Sequence, residues 1–211
     1  LVKIRMLKIE KLNIKWNGTL KPLDLSKVDS IALHHMAHPS AGPYEIDRWH
    51  KNNGWAGIGY GFWVAKNGMV YEGRGFNQNA AVENHNSHII SIGFQGDYEN
   101  VDQEMPPAQY EAGVELIKYL LKELPNVKTV AGHNHWNATA CPGKYFPLEK
   151  IIADALKKEE KKTWKQILQE VASDPKGWEI AINFLVLSAE SGMMNSIYKY
   201  LPLLLEKIYN R

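Results

Sequence analysis

Cysteine is scarce in this chain: a single residue among 211, Cys141, excludes an intramolecular disulfide. No segment approaches the roughly 18 consecutive apolar residues that a membrane-spanning helix requires, so stable membrane insertion is not expected. The net charge of only +2 argues against nucleic acid as a partner. The first residues place a charge every few positions and lack an uninterrupted apolar run, so they do not predict a secretory signal.

What the sequence does have is the composition of a globular protein, with 45% hydrophobic and 23% charged residues. Strand and helix patterns are mixed over residues 6–156 and predict an α/β or α+β domain. A charged run begins at Lys157 and is followed by apolar residues at helical spacing, which predict a small helical domain over 160–211. The chain is therefore expected to contain two domains.

The spacing of apolar residues predicts the order of the elements in the first domain. Strands are predicted over 30–36, 60–65, 69–72, 89–94 and 127–131, and helices over 44–53, 107–124 and 148–155. The Asn67-Gly68 pair between two of these strands predicts a tight hairpin turn. Pro125 is expected to end the long middle helix, because proline cannot continue the hydrogen-bonded ladder.

Histidines stand at the ends of two predicted strands. The first strand ends in His34 and His35, whose side chains point to opposite faces if the strand continues. His133 follows the last strand and precedes Cys141 by eight residues. A catalytic zinc site needs three protein ligands and one open position, and imidazole and thiolate both suit zinc. Spacing alone leaves two interpretations, a zinc site or buried structural residues. His135 is a rival ligand, because it shares a strand face with His133 if the chain stays extended.

Three segments carry a resemblance to a known family: IALHHMAHPS, IDRWHKNNGWAGIGYGFWVAKNGMVYEGR and AGHNHWNATACPG. In this order, within residues 31–146, they resemble the peptidoglycan amidase family that includes phage lysozyme-amidases and animal peptidoglycan recognition proteins. The resemblance implies an α/β fold with a mixed central β-sheet flanked by helices. It also implies that His34, His133 and Cys141 bind Zn²⁺, the same residues that ligand chemistry proposes.

The resemblance further implies two catalytic residues and a reaction. Tyr60, in the Gly-Tyr-x-Phe segment, is implied to lie beside the metal and to contact the reacting oxygen. Thr139, two residues before the cysteine, is implied to hydrogen-bond the oxygen of the tetrahedral intermediate. The implied reaction is hydrolysis of the amide between N-acetylmuramic acid and L-alanine, with bacterial peptidoglycan as the partner. A phage endolysin is the implied setting, made in the host cytoplasm and released to act on the cell wall, with an exported bacterial autolysin as the alternative. By analogy with other lytic enzymes, residues 160–211 are expected to target the cell wall, with a purely structural extension as the alternative.

The chain departs from the family pattern at the acid–base position. Some relatives carry a glutamate in the strand that corresponds to 89–95, where this chain has no acid. That position falls near Gly93, with Gln95 close by, and a histidine often found before the strand is replaced by Ala81. The acid–base role is therefore assigned to water on the metal, assisted by Tyr60. His35 is expected to pack in the core on the other face of its strand, and the alternative is a bracing role beside the metal.

Two other functions remain open from the sequence. One is a module that binds peptidoglycan without cutting it, although such relatives usually lack the cysteine that is present here at Cys141. The other is a metal nuclease, prompted by the string His133-Asn134-His135, although Pro142-Gly143 interrupts the ββα pattern of such enzymes. The candidates for walls of a substrate groove, each also a candidate core residue, are Trp49, Trp55, Trp63 and Trp136.

Overall fold

A computed structural model describes residues 7–157 of the chain. These residues fall within one compact unit, Arg5–Lys157. The helical domain predicted over 160–211 lies outside the described residues. Within 7–157, every helix is too short or too polar to cross a lipid bilayer.

Residues 7–157 are built on a six-stranded β-sheet. The strands are β1 (Ile9–Lys11), β2 (Ser30–His35), β3 (Phe62–Val64), β4 (Val70–Glu72), β5 (Ile89–Phe94) and β6 (Thr129–Gly132). The helices are α1 (Pro43–Asn52), α2 (Pro107–Glu123) and α3 (Leu148–Leu156). Across the sheet the strands lie in the order β1-β4-β3-β5-β2-β6. The strands and helices predicted within residues 7–157 are all present, and β1 is one that the sequence pattern did not predict.

The sheet is mixed, as the resemblance implied. β2 lies in parallel between β5 and β6, and β3 runs parallel to β5. β3 and β4 form the expected antiparallel hairpin, and β1 adds in parallel to the outer side of β4. The hairpin strand begins only at Phe62, so Tyr60 precedes the strand instead of lying within it. The prediction of a mixed central sheet flanked by helices is confirmed.

The two faces of the sheet bury different clusters. Ile31 and Leu33 of β2 point into the larger core, which is completed by residues of α2 and α3 such as Leu116 and Ile151. On β3, Trp63 points the other way, into a smaller core with Ile46 of α1. Because side chains alternate along a strand, each strand contributes to both faces. Trp63 is fully buried and is a core residue, not a groove wall.

α2 shows why the sequence signals were informative. It begins at Pro107, where the missing N–H costs nothing because the first helical donors have no intrahelical partner. Its last residue is Glu123, two positions before Pro125. The buried face includes Val114, Ile117 and Leu120, which recur at helical spacing and pack on the sheet. α2 therefore packs on one face of the sheet and contributes to the larger core.

Candidate active site

The sheet register brings two histidines together. Leu33 of β2 pairs with Gly132, the last residue of β6, so the next residues, His34 of β2 and His133 after β6, lie side by side. Parallel neighbouring strands end at the same edge, which is where sites form in open α/β sheets. The His34 and His133 rings lie with their centroids 4.5 Å apart.

A short loop returns Cys141 to the two histidines. Residues His133–His135 form one 3-10 turn, and the N–H of Asn134 donates to the carbonyl oxygen of Cys141 at 2.9 Å. As a result, one nitrogen of each histidine and the Sγ of Cys141 all lie within 4.8 Å of one another. In the described part of the chain, this is the group of His, Cys, Asp or Glu side chains that is arranged to hold a metal ion.

The geometry of these three side chains fits zinc. The distance from Cys141 Sγ to His34 Nδ1 is 3.7 Å. Two such ligands on one tetrahedral zinc would lie about 3.6 Å apart, given Zn–N and Zn–S bonds of about 2.1 and 2.3 Å. Two imidazoles and one thiolate are also a donor set that zinc accepts, with a fourth position left for water or substrate.

Burial sets the charge state of these groups in the protein alone. His34 is buried, and desolvation holds its pKa well below the usual value, with the positive charges of His133 and His35 acting in the same direction. Desolvation likewise raises the pKa of the Cys141 thiol to about 12, against a smaller opposing effect of a hydrogen bond with the backbone of His35. A neutral imidazole is ready to bind a metal, whereas the thiol must lose its proton on metal binding.

His133 is held by the side chain of Asn137, which was not predicted as a functional residue from the sequence. Its Nε2 lies 2.9 Å from Oδ1 of Asn137, and Asn137 Nδ2 donates to the carbonyl oxygen of Glu83 at 3.4 Å. Burial lowers the pKa of His133, and the Asn137 bond acts in the opposite direction. No local signal in the sequence marks Asn137, because its contact depends on the shape of the loop.

The other two candidate histidines lie apart from this cluster. His135 is exposed and packs edge-on against Trp136, because the chain turns after His133 instead of staying extended. His35 is buried, and its Nδ1 accepts a hydrogen bond from the N–H of Tyr98 at 3.0 Å. The structure therefore buries His35 at the cavity wall, where it holds the Tyr98 backbone, and leaves both His35 and His135 outside the three grouped side chains.

The three grouped side chains open into a cavity of about 470 Å³. Tyr60 and Thr139 both line it, together with Trp55 and Glu99. The site residues that the sequence predicted are thus brought to one cavity. Trp55 is 39% exposed, as expected for a groove wall.

Tyr60 lies between His34 and the backbone of β5. Its ring centroid is 5.3 Å from that of His34. On the other side, a Cβ added at Gly93 would come within 2.9 Å of the Tyr60 ring and 2.7 Å of the Met36 methyl group. Burial, with a contribution from the charge of Cys141, holds the pKa of Tyr60 far above its usual range. Tyr60 therefore remains a neutral hydrogen-bond donor.

Gly93 also gives a physical reason for the missing acid. Any side chain there would collide with Tyr60 and Met36, so the conformation of this chain has no room for a glutamate. The neighbouring Gln95 does not replace it: its side chain accepts from the N–H of Lys66 and donates to the carbonyl oxygen of Ser40. Gln95 is thus a structural bridge between loops.

Thr139 lies at the exposed rim of the cavity. Its Oγ1 accepts a hydrogen bond from the N–H of Cys141 at 3.2 Å. Because the hydroxyl oxygen is the acceptor in this contact, its proton remains available for donation into the cavity. The same threonine therefore shapes the loop that carries Cys141 and presents a donor beside it.

Glu99 is an acid of the cavity wall that was not predicted from the sequence. Glu99 follows β5 in a turn organised by Asp97, whose Oδ1 accepts from the N–H groups of Glu99 and Asn100 at 3.1 Å each. Its carboxylate accepts from Lys144 through both the backbone N–H and Nζ. These contacts lower the pKa of Glu99 and keep it ionised, which suits an electrostatic role better than proton donation.

Comparisons with known proteins agree with this arrangement. A profile of the N-acetylmuramoyl-L-alanine amidase family matches residues 24–144. Peptidoglycan-recognition protein SC2 of Drosophila simulans is 35% identical over 145 residues, which are 61% of this chain and 77% of that protein. The endolysin of Escherichia phage T7 is 32% identical over 121 residues, 54% of this chain and 80% of its own.

The fold of this chain also matches solved structures of similar sequence. The N-acetylmuramoyl-L-alanine amidase LysC from Clostridium intestinale URNW superposes with a TM-score of 0.64 and 29% identity, covering 69% of this chain and 95% of its own. The family profile spans more than half of the 211 residues and includes every residue of the metal-site candidate. The chain therefore belongs to the N-acetylmuramoyl-L-alanine amidase family.

Proposed function

We propose that the chain hydrolyses the amide bond between N-acetylmuramic acid and the L-alanine of the peptide stem in bacterial peptidoglycan. The observation that carries this proposal is the grouping of His34, His133 and Cys141 within 4.8 Å at a cavity that Tyr60 and Thr139 also line. Because this substrate is a wall polymer, the enzyme acts at the cell wall, as expected of an endolysin.

The three grouped residues hold Zn²⁺ in this proposal. When bound, zinc polarises the substrate carbonyl and makes water reactive near neutral pH. His34 contributes an uncharged imidazole from the end of β2, because burial keeps its pKa low. Cys141 contributes a thiolate after it has lost its proton, and the hydrogen bonds of its loop hold it at 3.7 Å from His34 Nδ1.

Tyr60 and Thr139 act on the substrate. Tyr60 keeps its proton, so its hydroxyl donates a hydrogen bond to the carbonyl oxygen as negative charge develops there. Thr139 presents a second donor from the rim, since its oxygen already accepts from Cys141 N–H. The reaction adds water across the C–N bond, leaving a carboxylate on the muramic acid and a free amine on L-alanine.

Binding without cleavage is the alternative function, since peptidoglycan-recognition proteins are among the relatives. The presence of all three candidate ligands in one cluster favours the enzyme, because a binding module has no need of a thiolate beside two imidazoles. The two functions differ in a single measurable product, the amine released from L-alanine.

The test is mass spectrometry of purified peptidoglycan digested with the zinc-loaded protein. We expect free stem peptides with a new L-alanine amine and glycan strands without new reducing ends. The matched control is Cys141→Ser, which keeps a similar side-chain volume and removes the thiolate. Intact peptidoglycan that co-sediments with the wild-type protein would support the binding module, and new reducing sugar ends would point to a glycosidase.

A further inference from the structure

Asn137 connects the His133 side chain to Glu83, in the segment that follows the cavity-lining residue Ala81. Its Oδ1 lies 2.9 Å from His133 Nε2, and its Nδ2 donates to the carbonyl oxygen of Glu83 at 3.4 Å. We propose that Asn137 is a positioning residue, which holds His133 in the one tautomer that leaves Nδ1 free to bind metal. This inference rests on the zinc site of the proposed function.

The hydrogen-bond pattern determines which end of the Asn137 amide faces the imidazole. The Glu83 carbonyl can only accept, so the NH₂ end of the amide must face it. The carbonyl end of the same amide then faces His133, and a carbonyl oxygen can accept but not donate. His133 Nε2 must therefore carry the proton. In a neutral imidazole this leaves the lone pair on Nδ1.

The two histidines of the cluster differ in how they are held. His34 is 2% exposed within a central strand, so its packing fixes the ring, and its Nε2 has no hydrogen-bond partner among the described residues. His133 lies in a 3-10 turn and is only partly buried. A ligand in a loop has more rotamers and both tautomers available, so a directed hydrogen bond contributes more to its preorganisation.

The anchor at Glu83 belongs to a segment with its own internal bonds. Asn86 Oδ1 accepts from the N–H groups of Ala81 and Val82 at 3.0 Å each, and Ala81 lines the cavity. Asn137 therefore connects the ligand loop to a braced neighbour. The Nδ2 contact to Glu83 is the longer of its two bonds, so we assign the larger role to the contact with His133.

Three variants separate this role from a general effect on folding. Asn137→Ala removes both contacts. Asn137→Asp keeps an acceptor for His133 but loses the donor to Glu83. Asn134→Ala is the matched control, since Asn134 lies in the same exposed loop and its backbone N–H bond to Cys141 survives the change. Zinc affinity is measured by chelator competition, and thermal unfolding of each metal-free protein reports on folding.

We expect Asn137→Ala to bind zinc at least about tenfold more weakly than the wild type, because removal of the outer-shell partner of a histidine ligand generally weakens metal binding by at least that factor. Asn137→Asp is expected to bind at least as tightly as the wild type, and Asn134→Ala equally tightly. Wild-type affinity in Asn137→Ala, or equal weakening in Asn137→Asp, would overturn the positioning role while leaving the zinc site standing. A wild-type protein that binds no zinc would overturn both.

A measurement on the wild type keeps the test independent of how the variants fold. Nitrogen-15 NMR of the zinc-loaded protein distinguishes a protonated ring nitrogen from a metal-bound one. The inference requires a proton on His133 Nε2 and a shifted, metal-bound Nδ1. Finding the metal on Nε2 contradicts it, whatever the affinities show.

Discussion

The Sγ atom of Cys141 and the Nδ1 atom of His34 lie 3.7 Å apart, although 107 positions separate the two residues in the chain. The central strand β2 delivers His34, its parallel neighbour β6 delivers His133, and one short loop returns Cys141. The site is thus a consequence of strand order and register. Its precision depends on the core that keeps β2 and β6 aligned.

The first prediction concerns the metal ligands. His34→Ala and Cys141→Ser are expected to lose zinc, because each removes one of the three side chains that lie within 4.8 Å of one another. The loss of affinity should exceed the roughly 10–100-fold cost of removing an outer-shell partner. Elemental analysis of the purified proteins and the release of L-alanine amines from peptidoglycan measure the two effects.

His135→Ala is the matched control for the ligand variants. His135 is exposed and lies outside the grouped side chains, so zinc content and amide hydrolysis should stay at wild-type levels. If His135→Ala lost zinc while His34→Ala kept it, the ligand assignment would be wrong.

The second prediction concerns the Tyr60 hydroxyl. Tyr60→Phe keeps the ring that packs between His34 and Gly93 and removes only the donor. We expect kcat to fall by about 10²–10³, the usual cost of losing one donor to a developing oxyanion, with unchanged zinc content. Steady-state kinetics on a soluble muropeptide checks this. A variant with near wild-type kcat would reduce Tyr60 to a packing residue.

The third prediction separates two roles of Thr139. Its oxygen accepts from Cys141 N–H, and its proton is available to substrate. Thr139→Ser keeps both and should retain activity, whereas Thr139→Val loses both. If the hydroxyl acts on the oxyanion, Thr139→Val lowers kcat at full zinc occupancy. A variant whose only defect is weaker zinc binding would show that Thr139 serves the loop alone.

The sequence carried enough information for the sheet but not for every side chain at its edge. Long strands such as β2 and β5 have continuous apolar runs, so their positions were predictable from the sequence. The shared site of His34 and His133 was expected from ligand chemistry and from the family resemblance, because spacing alone left it open. β1 was missed because three residues, two of them charged, give no strand periodicity.

Side chains whose role depends on a loop were not predictable from pattern. His135 was a rival ligand because the chain was expected to stay extended after β6. The 3-10 turn at His133 ends the extended conformation, so His135 does not share a strand face with His133. Asn137 and Glu99 gain their contacts only from turns, through bonds to residues far away in sequence. Such hydrogen bonds do not recur at a regular spacing in the sequence, so the spacing of apolar residues cannot predict them.

The fourth prediction follows from the close approach at Gly93. Gly93→Ala places a methyl group 2.7 Å from Met36 Cε and 2.9 Å from the Tyr60 ring. Overpacking of this kind costs about 1–3 kcal/mol of stability, and displacement of Tyr60 should lower kcat as well. Gly42→Ala is the control, because nothing lies within 4 Å of a Cβ at that position. Equal thermal stability of the two variants would contradict the steric account.

The last prediction concerns stability in acid. Burial acts to raise the pKa of Asp97, but hydrogen bonds from Asn100 and Glu99 outweigh it and lower the folded-state pKa below the ordinary value of 3.8. A carboxylate with a depressed folded pKa stabilises the fold above its unfolded pKa, and the contribution disappears as pH falls through the folded value. Asp97→Asn retains an acceptor but loses the charge. It should therefore cost about 1 kcal/mol at pH 7.

This difference should shrink steadily below about pH 4, as the wild-type carboxyl takes up its proton. Urea unfolding of wild type and Asp97→Asn at several pH values between 7 and 2 measures it. Because carboxylates far from this turn titrate equally in both proteins, the difference between the two reports on Asp97 and on its contact with His35. A difference in unfolding free energy that stays constant down to pH 2 would mean that the charge of the Asp97 carboxylate does not stabilise the turn.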